Sequence, residues 1–459
     1  MKKNLGILVA GLLLAAMAGG GIRGTGRTLG TITAFGSIFV NGVEYELGGA
    51  QIRINGEPAT EADLKVGQVV DVTGIVNDDG ITGTAASVEF ASDLRGAVTA
   101  VDAAGTEFTL LGQTVRVNSA TVFDDSLSPA SFAGIAAGAV LEVSGYRDAA
   151  GALLATQVES SASVDDRVRG VVSHLDTAIF RFTINGLTID YSAPQQLEGT
   201  LANGALVEVR GPRAIGSVLA ADKVEVLPAV IAAAAGDAGS VEGLVTSTLA
   251  AGAFSLNGQP FILTASTVFA GGTAADLVAG QKAQAEGRFD AAGRIVAEAV
   301  VVIFDDSARV FAPVQSVDAA AGKFTVLGLA VEAPSGTQFE DKSRARQRNF
   351  SLASLRAGDL VEVRGVELRE PRQLRASRVR REDPDSERWL AGRVSGVNGN
   401  RLTLLDTPIV IGTNTELGYE NGVALDRAQF LRVVGNENVK AEVRLVNGEL
   451  VADRAEISL

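Results

Sequence analysis

Val98 to Val101, Phe108-Thr-Leu-Leu-Gly112 and Val115-Arg-Val117 are three short apolar segments separated by turn residues, all within twenty residues of chain. Their lengths and alternation read as three consecutive strands. After Thr121 and Phe123 comes a small-residue stretch, Ser128 to Ala137, with room for one or two helical turns. Gly138 then resets the chain, Leu141-Glu-Val143 supplies a fourth strand, and Leu153 to Val158 supplies a fifth.

The same grammar recurs along the chain. Strand openings of the form Gly-x-(Val/Ile) stand at Gly30/Ile32, Gly96/Val98, Gly170/Val172, Gly243/Val245 and Gly392/Val394, with Ala312/Val314 in the fifth place. Closings of the form Ala-x-x-Val stand at Ala85/Val88, Ala155/Val158, Ala221/Val224, Ala297/Val300 and Ala376/Val379, weakening to Ala452/Ala455. A fixed period this long means tandem small domains rather than one large core. Second strands such as Phe180-Arg-Phe-Thr-Ile184 and Phe254-Ser-Leu256 run into Asn185-Gly186 and Asn257-Gly258, pairs that tolerate the positive φ of a tight hairpin. Fourth strands read Val70-Asp-Val72, Val207-Glu-Val209, Ala283-Gln-Ala285 and Val361-Glu-Val363, which is the period-two code of a strand with one buried face.

Five strands with a short helix or loop between the third and fourth is the order of the OB-fold; a sheet sandwich or another small barrel has the same strand count. The fold class expected is therefore all-β, a tandem array of six small five-stranded OB-like barrels. The units run over 19–91, 92–163, 164–235, 236–306, 307–383 and 384–459. Pro228 to Gly239, alanine-rich and without alternation, is the expected flexible joint, with a short helix over Val230 to Ala235 as the other reading.

Residues 1–18 read as a signal peptide. Lys2 and Lys3 lead an apolar stretch, Leu5 to Ala16, too short to span a bilayer, and Ala16-Met17-Ala18 offers small residues for cleavage before Gly19. No later run reaches the length of a membrane span, so no transmembrane segment is expected. Leu14-Ala-Ala16 is followed by Met17 where a lipoprotein box needs cysteine, and the chain has no cysteine at all. Disulfides, thiolate metal sites and cysteine nucleophiles are thereby excluded.

The stretch from Ile32 to Tyr45, with Phe35-Gly-Ser-Ile-Phe-Val-Asn-Gly42 at its centre, is followed by repeated Arg-Gly-x-Val openings and Gly-x-x-Val-Glu-Val-x-Gly strands. In these it resembles the exported bacterial proteins built from tandem copies of the domain of unknown function numbered 5666. That resemblance implies repeated small β-barrels and a cell-envelope or periplasmic location, often as a lipoprotein. It implies no activity and no catalytic residues.

Chemistry is sparse. His174 is the only histidine and reads as a solvent-facing strand residue, since a triad also needs a positioned nucleophile and acid. No enzyme activity, metal or cofactor is expected. Acidic pairs at Asp124-Asp125, Glu340-Asp341, Asp165-Asp166 and Asp305-Asp306, and the turn Asn77-Asp-Asp-Gly80, lack the spacing of a calcium loop and read as solvated turns and caps. Against a net charge of −14, the segment Lys342 to Arg381 holds 12 basic and 4 acidic residues. Arg344, Arg346, Arg348, Arg372, Arg375, Arg378, Arg380 and Arg381 therefore form the candidate ligand-binding surface, expected on exposed loops and strand edges. Their forks suit phosphate or carboxylate, from nucleic acid, lipopolysaccharide or an acidic neighbouring unit. The functional expectation is an exported, non-enzymatic array presenting weak contacts along an elongated surface to an envelope protein or polysaccharide. The second reading is an OB-like receptor for oligosaccharide or nucleic acid through unit five.

Overall fold

The computed structural model describes residues 22–35, 37–102, 106–118, 120–194, 196–303, 305–333, 337–347, 350–369, 372–420, 422–435 and 437–458, excluding the side chains of 249, 305–307, 338, 369 and 372. The expected signal peptide, residues 1–18, with Met17, lies outside them.

In unit two the strands are Leu94–Val101, Glu107–Leu110, Gln113–Arg116, Val140–Arg147 and Leu153–Ser160. They pair first to second, second to third, third to fifth in parallel, fifth to fourth, and fourth back to first. The ring is closed, and its one parallel contact is that of the OB topology. Inside it Val98, Phe108, Leu110, Val115, Leu141, Val143, Leu153 and Val158 are buried, the inward half of each alternating strand. Each such side chain contributes about 1.5–3 kcal/mol of burial, which holds a barrel together without disulfides.

The other five units close the same ring. Unit three does so with its first strand divided into Asp165–Val171 and Ser173–Asp176 and its fifth into Val218–Ala220 and Lys223–Val226. Between third and fourth strands, units one, two, four and five hold a single 3-10 turn, Phe132–Gly134 in unit two, and among the described residues a true helix stands only in unit six, Arg427–Val433, capped by Asp426. None of the described helices is long and apolar enough to cross a membrane.

In units one, two, four and five the fourth strand carries a glycine at its bulge, opposite the fifth strand. At Gly287 a Cβ would sit 1.9 Å from the Val296 carbonyl oxygen, backbone that cannot swing aside. Gly287→Ala is therefore expected to open this strand pair and lower the thermal midpoint of unit four by several degrees, an effect of about 1–3 kcal/mol. An unchanged melting curve would count against the bulge as a packing requirement.

The units do not form a string of beads. Their first strands pair with each other: unit two with unit three, Leu94 opposite Val168, and unit five with unit six, Val310 opposite Leu390, both antiparallel. Unit one pairs in parallel with unit four, Gly26 to Leu29 running beside Ala238 to Val241. Units two and three share one buried apolar cluster, and so do units five and six. The elongated surface expected from the repeat is thus replaced by a chain that doubles back, because an extended first strand offers a second length of edge to any neighbour.

Leu227 to Asp237 contains no helix and is pinned rather than free. Ile231 N–H donates to Gln259 Oε1 at 2.8 Å, Arg27 donates to the Ala232 carbonyl at 3.1 Å, and Ile231 and Ala233 pack on the unit-four core. A six-residue alanine segment cannot recover the cost of helix nucleation, so its backbone finds partners outside itself.

Candidate functional site at the guanidinium seams

The fourth-strand acid that reads as a solvated residue is, in units three and five, the centre of a buried charge cluster. Glu208 and Glu362 are each 3% exposed. Glu208 is the partner of Arg169 across the first strand, and Arg167 stands opposite Arg210 one row on either side of Val168 and Val209. Its carboxylate takes Arg167, Arg169 Nε at 3.1 Å and Arg210 Nε at 2.7 Å. Glu362 repeats the plan with Arg309 at 2.9 Å, Arg364 at 3.0 Å and Arg380 at 2.6 Å.

Burial alone would raise the Glu208 pKa, but Arg167, Arg169 and Arg210 together hold it down to about 2. Burial pulls Arg167 down to about 10, and Glu208 opposes that shift. Glu362 is likewise depressed, with burial overcome by Arg364, Arg309 and Arg380. In unit three this outer face is charged yet dry because the charges pair with one another and a turn of unit one lies over them. Period-two alternation distinguishes inside from outside but not whether the outside meets water.

Unit one keys into the seam of units two and three. Its hairpin Gln51–Ile54 and Glu57–Ala59 turns at Asn55 and Gly56, with φ of 57° and 88°. The Asn55 side-chain oxygen accepts from Arg167 and from Ser92 N–H at 3.0 Å, its amide donates to Glu142 Oε1, and its backbone carbonyl accepts from Arg210 at 2.9 Å. Sequence reading passed over Asn55; the signal that could have found it is an Asn-Gly pair lying after the third strand rather than after the second.

The arginines singled out in unit five are for the most part already paired. The fifth strand, Arg372–Glu382, is interior to the sheet, so Arg375 and Arg378 do not lie on an exposed edge or loop as expected. Arg378 pairs with Glu340, and Arg380 with Glu362 and Glu382. Arg381 reaches Asp341 at 2.5 Å and Asp359 at 3.6 Å and lies 4.4 Å over the Phe350 ring. Hydrogen bonding to Arg381 holds the Asp341 carboxyl well below its usual range. Arg375 is half-buried where units four and five meet; burial lowers its pKa against the opposing charges of Glu332, Glu286 and Glu242.

Arg344 is 94% exposed with Asp383 at 3.3 Å, and Arg346 is exposed in a left-handed turn. Arg348 and the side chain of Arg372 lie outside the described residues. The basic count of the segment missed these carboxylates because most of them flank it or come from other units.

Of the acidic pairs, Asp124 meets Lys65 at 3.0 Å and Asp166 accepts from Arg213 and from Ala214 N–H. The side chains of Asp305 and Asp306 lie outside the described residues. Among the described residues no three His, Cys, Asp or Glu gather as metal ligands. His174 is exposed, with Nδ1 3.1 Å from Thr183 Oγ1.

No curated protein matches the chain. A family model described as "Domain of unknown function (DUF5666)" matches residues 30–89, 95–159, 169–225, 242–301, 312–380 and 391–456, one match to each barrel. Six matched copies, each a closed five-stranded ring, place the chain in the DUF5666 family.

Proposed function

We propose that the protein is an exported, non-enzymatic binding or scaffolding array of the cell envelope. The observation that carries this reading is the use made of the charged residues. Within units three and five they neutralise one another around Glu208 and Glu362, and between units they tie Arg167 and Arg210 to Asn55 and Lys65 to Asp124 and Glu159, rather than converging on a reactive centre. A cleft at the unit-one and unit-four seam, lined by Ile22, Tyr45, Val76 and Ser240, has room for about one water molecule. Six barrels fixed to each other present many outer loops in constant relation, which suits several weak contacts acting together. The second reading, polyanion binding by unit five, is supported only by Arg346 and by Arg344, which is almost fully exposed beside Asp383, because Arg378, Arg380 and Arg381 hold carboxylates in less exposed pairs.

The test is cross-linking in the native host, followed by mass spectrometry of the captured complex from the envelope fraction. The expected result is an envelope protein or polysaccharide joined to a chain whose N-terminus lies near Gly19 and bears no acyl group. Recovery from the cytoplasm with Met1 intact would overturn the reading.

A further inference from the structure

The two antiparallel seams are built alike, yet only one is filled. Across the seam of units two and three, one row of cross-strand neighbours reads Arg210, Arg167, Arg95, Glu142. The Asn55-Gly56 turn of unit one sits on that row, and Arg167 beneath it is 1% exposed. The matching row across the seam of units five and six reads Arg364, Arg309, Ala391, Lys440.

Here Arg309, the counterpart of Arg167, keeps 30% of its side chain exposed, with Arg364 at 34% and Lys440 at 37%. Among the described residues no hydrogen bond reaches the guanidinium of Arg309 or Arg364 from outside the two units. Trp389 lies beside the row, stacked on Phe311, with Arg309 5.0 Å and Lys440 5.1 Å from its ring centre.

We propose that this seam is a docking socket for a β-turn of another protein with aspartate followed by glycine at its tip. In the filled seam one turn residue supplies two acceptors, a side-chain oxygen to Arg167 and a backbone carbonyl to Arg210. Arg309 and Arg364 repeat those two donors at the same register. The third contact differs: the Asn55 amide donates to Glu142, but Lys440 stands in that position and is itself a donor. An amide there would set donor against donor, whereas a carboxylate accepts from both Arg309 and Lys440. Ala391 in place of Arg95 removes a long side chain from the middle of the row, which leaves space for the tip. Glycine after the aspartate allows the left-handed turn that Asn55-Gly56 adopts.

The proposal names a partner chemistry for the binding role inferred above and rests on that role for its meaning. Its test does not, because it is read on purified protein. Trp389 is the only tryptophan in the chain, so its emission reports on the socket directly. The probe is a backbone-cyclised peptide with the sequence of residues 51–59 carrying Asn55→Asp, titrated into the full chain at low salt.

The expected result is a saturable emission change that the unaltered Asn55 peptide produces only at concentrations about tenfold higher. Arg309→Gln and Lys440→Glu should each abolish the change, and Arg116→Gln, distant in unit two, should leave it intact. Lys440 is partly exposed and 4.0 Å from Glu442, so its variant spares the core even if Arg309→Gln fails to fold. No saturation at millimolar peptide, or equal responses to the two peptides, would overturn the proposal. So would a response to heparin in place of the peptide, which would favour a polyanion site. Failure to find an envelope partner would leave a positive peptide titration standing.

Discussion

Glu208→Ala is expected to cost unit three about 3–5 kcal/mol, because it leaves three guanidinium groups facing each other with no carboxylate among them. Glu362→Ala should act equally on unit five. The charge, rather than the volume removed, is responsible, so Glu208→Gln should recover only part of the loss by keeping one acceptor oxygen. Asp453→Ala is the control. Its pair with Arg444 is more than half exposed on both sides, where an ion pair contributes no more than about 1 kcal/mol. Urea unfolding of each variant, followed by circular dichroism and by proteolysis to locate the unit that opens, measures the difference. A loss at Glu208 no larger than at Asp453 would remove the buried charge cluster from the account of what holds unit three together.

Stability should also respond to pH at two places in opposite directions. Glu208 has its folded pKa depressed to about 2, so its contribution is complete above the ordinary glutamate value and disappears as pH falls from about 4.5 toward 2. Glu286 is the reverse case. It is 7% exposed on the fourth strand of unit four, its Oε2 has no hydrogen-bond partner, and burial pushes its pKa up to about 8. Arg375 of unit five opposes that shift, Glu298 reinforces it, and Tyr45 of unit one is close enough for its own pKa to be raised further by Glu286.

A raised acid binds its proton more tightly when folded. The stability linked to Glu286 is therefore present in acid and is lost as pH rises from about 4.5 to 8, a difference on the order of 4–5 kcal/mol. Melting curves of the wild-type chain should show units one, four and five loosening as pH goes from 5 to 8. Glu286→Gln should flatten that decline and raise the midpoint at pH 8. A variant with the wild-type slope would show that this carboxyl is not the titrating group.

The barrels were legible in the sequence because each is specified locally. Alternating strands, Asn-Gly turns and the Val-x-Val-x-Gly bulge lie within one period, and five strands in that order leave few ways to close. The seams were not legible, since what covers an outer face is decided by residues up to 200 or so positions away, such as Asn55 on Arg210. The acid in Val207-Glu-Val209 is the clearest instance: its neighbours fix which way it points, but only its arginine partners and the distant Asn55 turn decide that it is dry. Unit five shows the same limit from the other side. Counting charge from Lys342 to Arg381 gave a basic patch, and Glu340, Asp341, Glu382 and the acids of unit four dissolve most of it.

The parallel pairing of Gly26 to Leu29 with Ala238 to Val241 also sets an order of events when the chain is made. Unit three can zip onto unit two, and unit six onto unit five, as soon as the next barrel has emerged. Unit one must wait for a strand roughly 200 residues later, which at ordinary synthesis rates is about 10–40 s. Throughout that interval its first strand keeps one row of N–H and C=O groups unpaired, the kind of edge that recruits other chains. Closure between units one and four is thus the slow, high-contact-order step of assembly. Until it happens the nascent protein depends on whatever shields that edge.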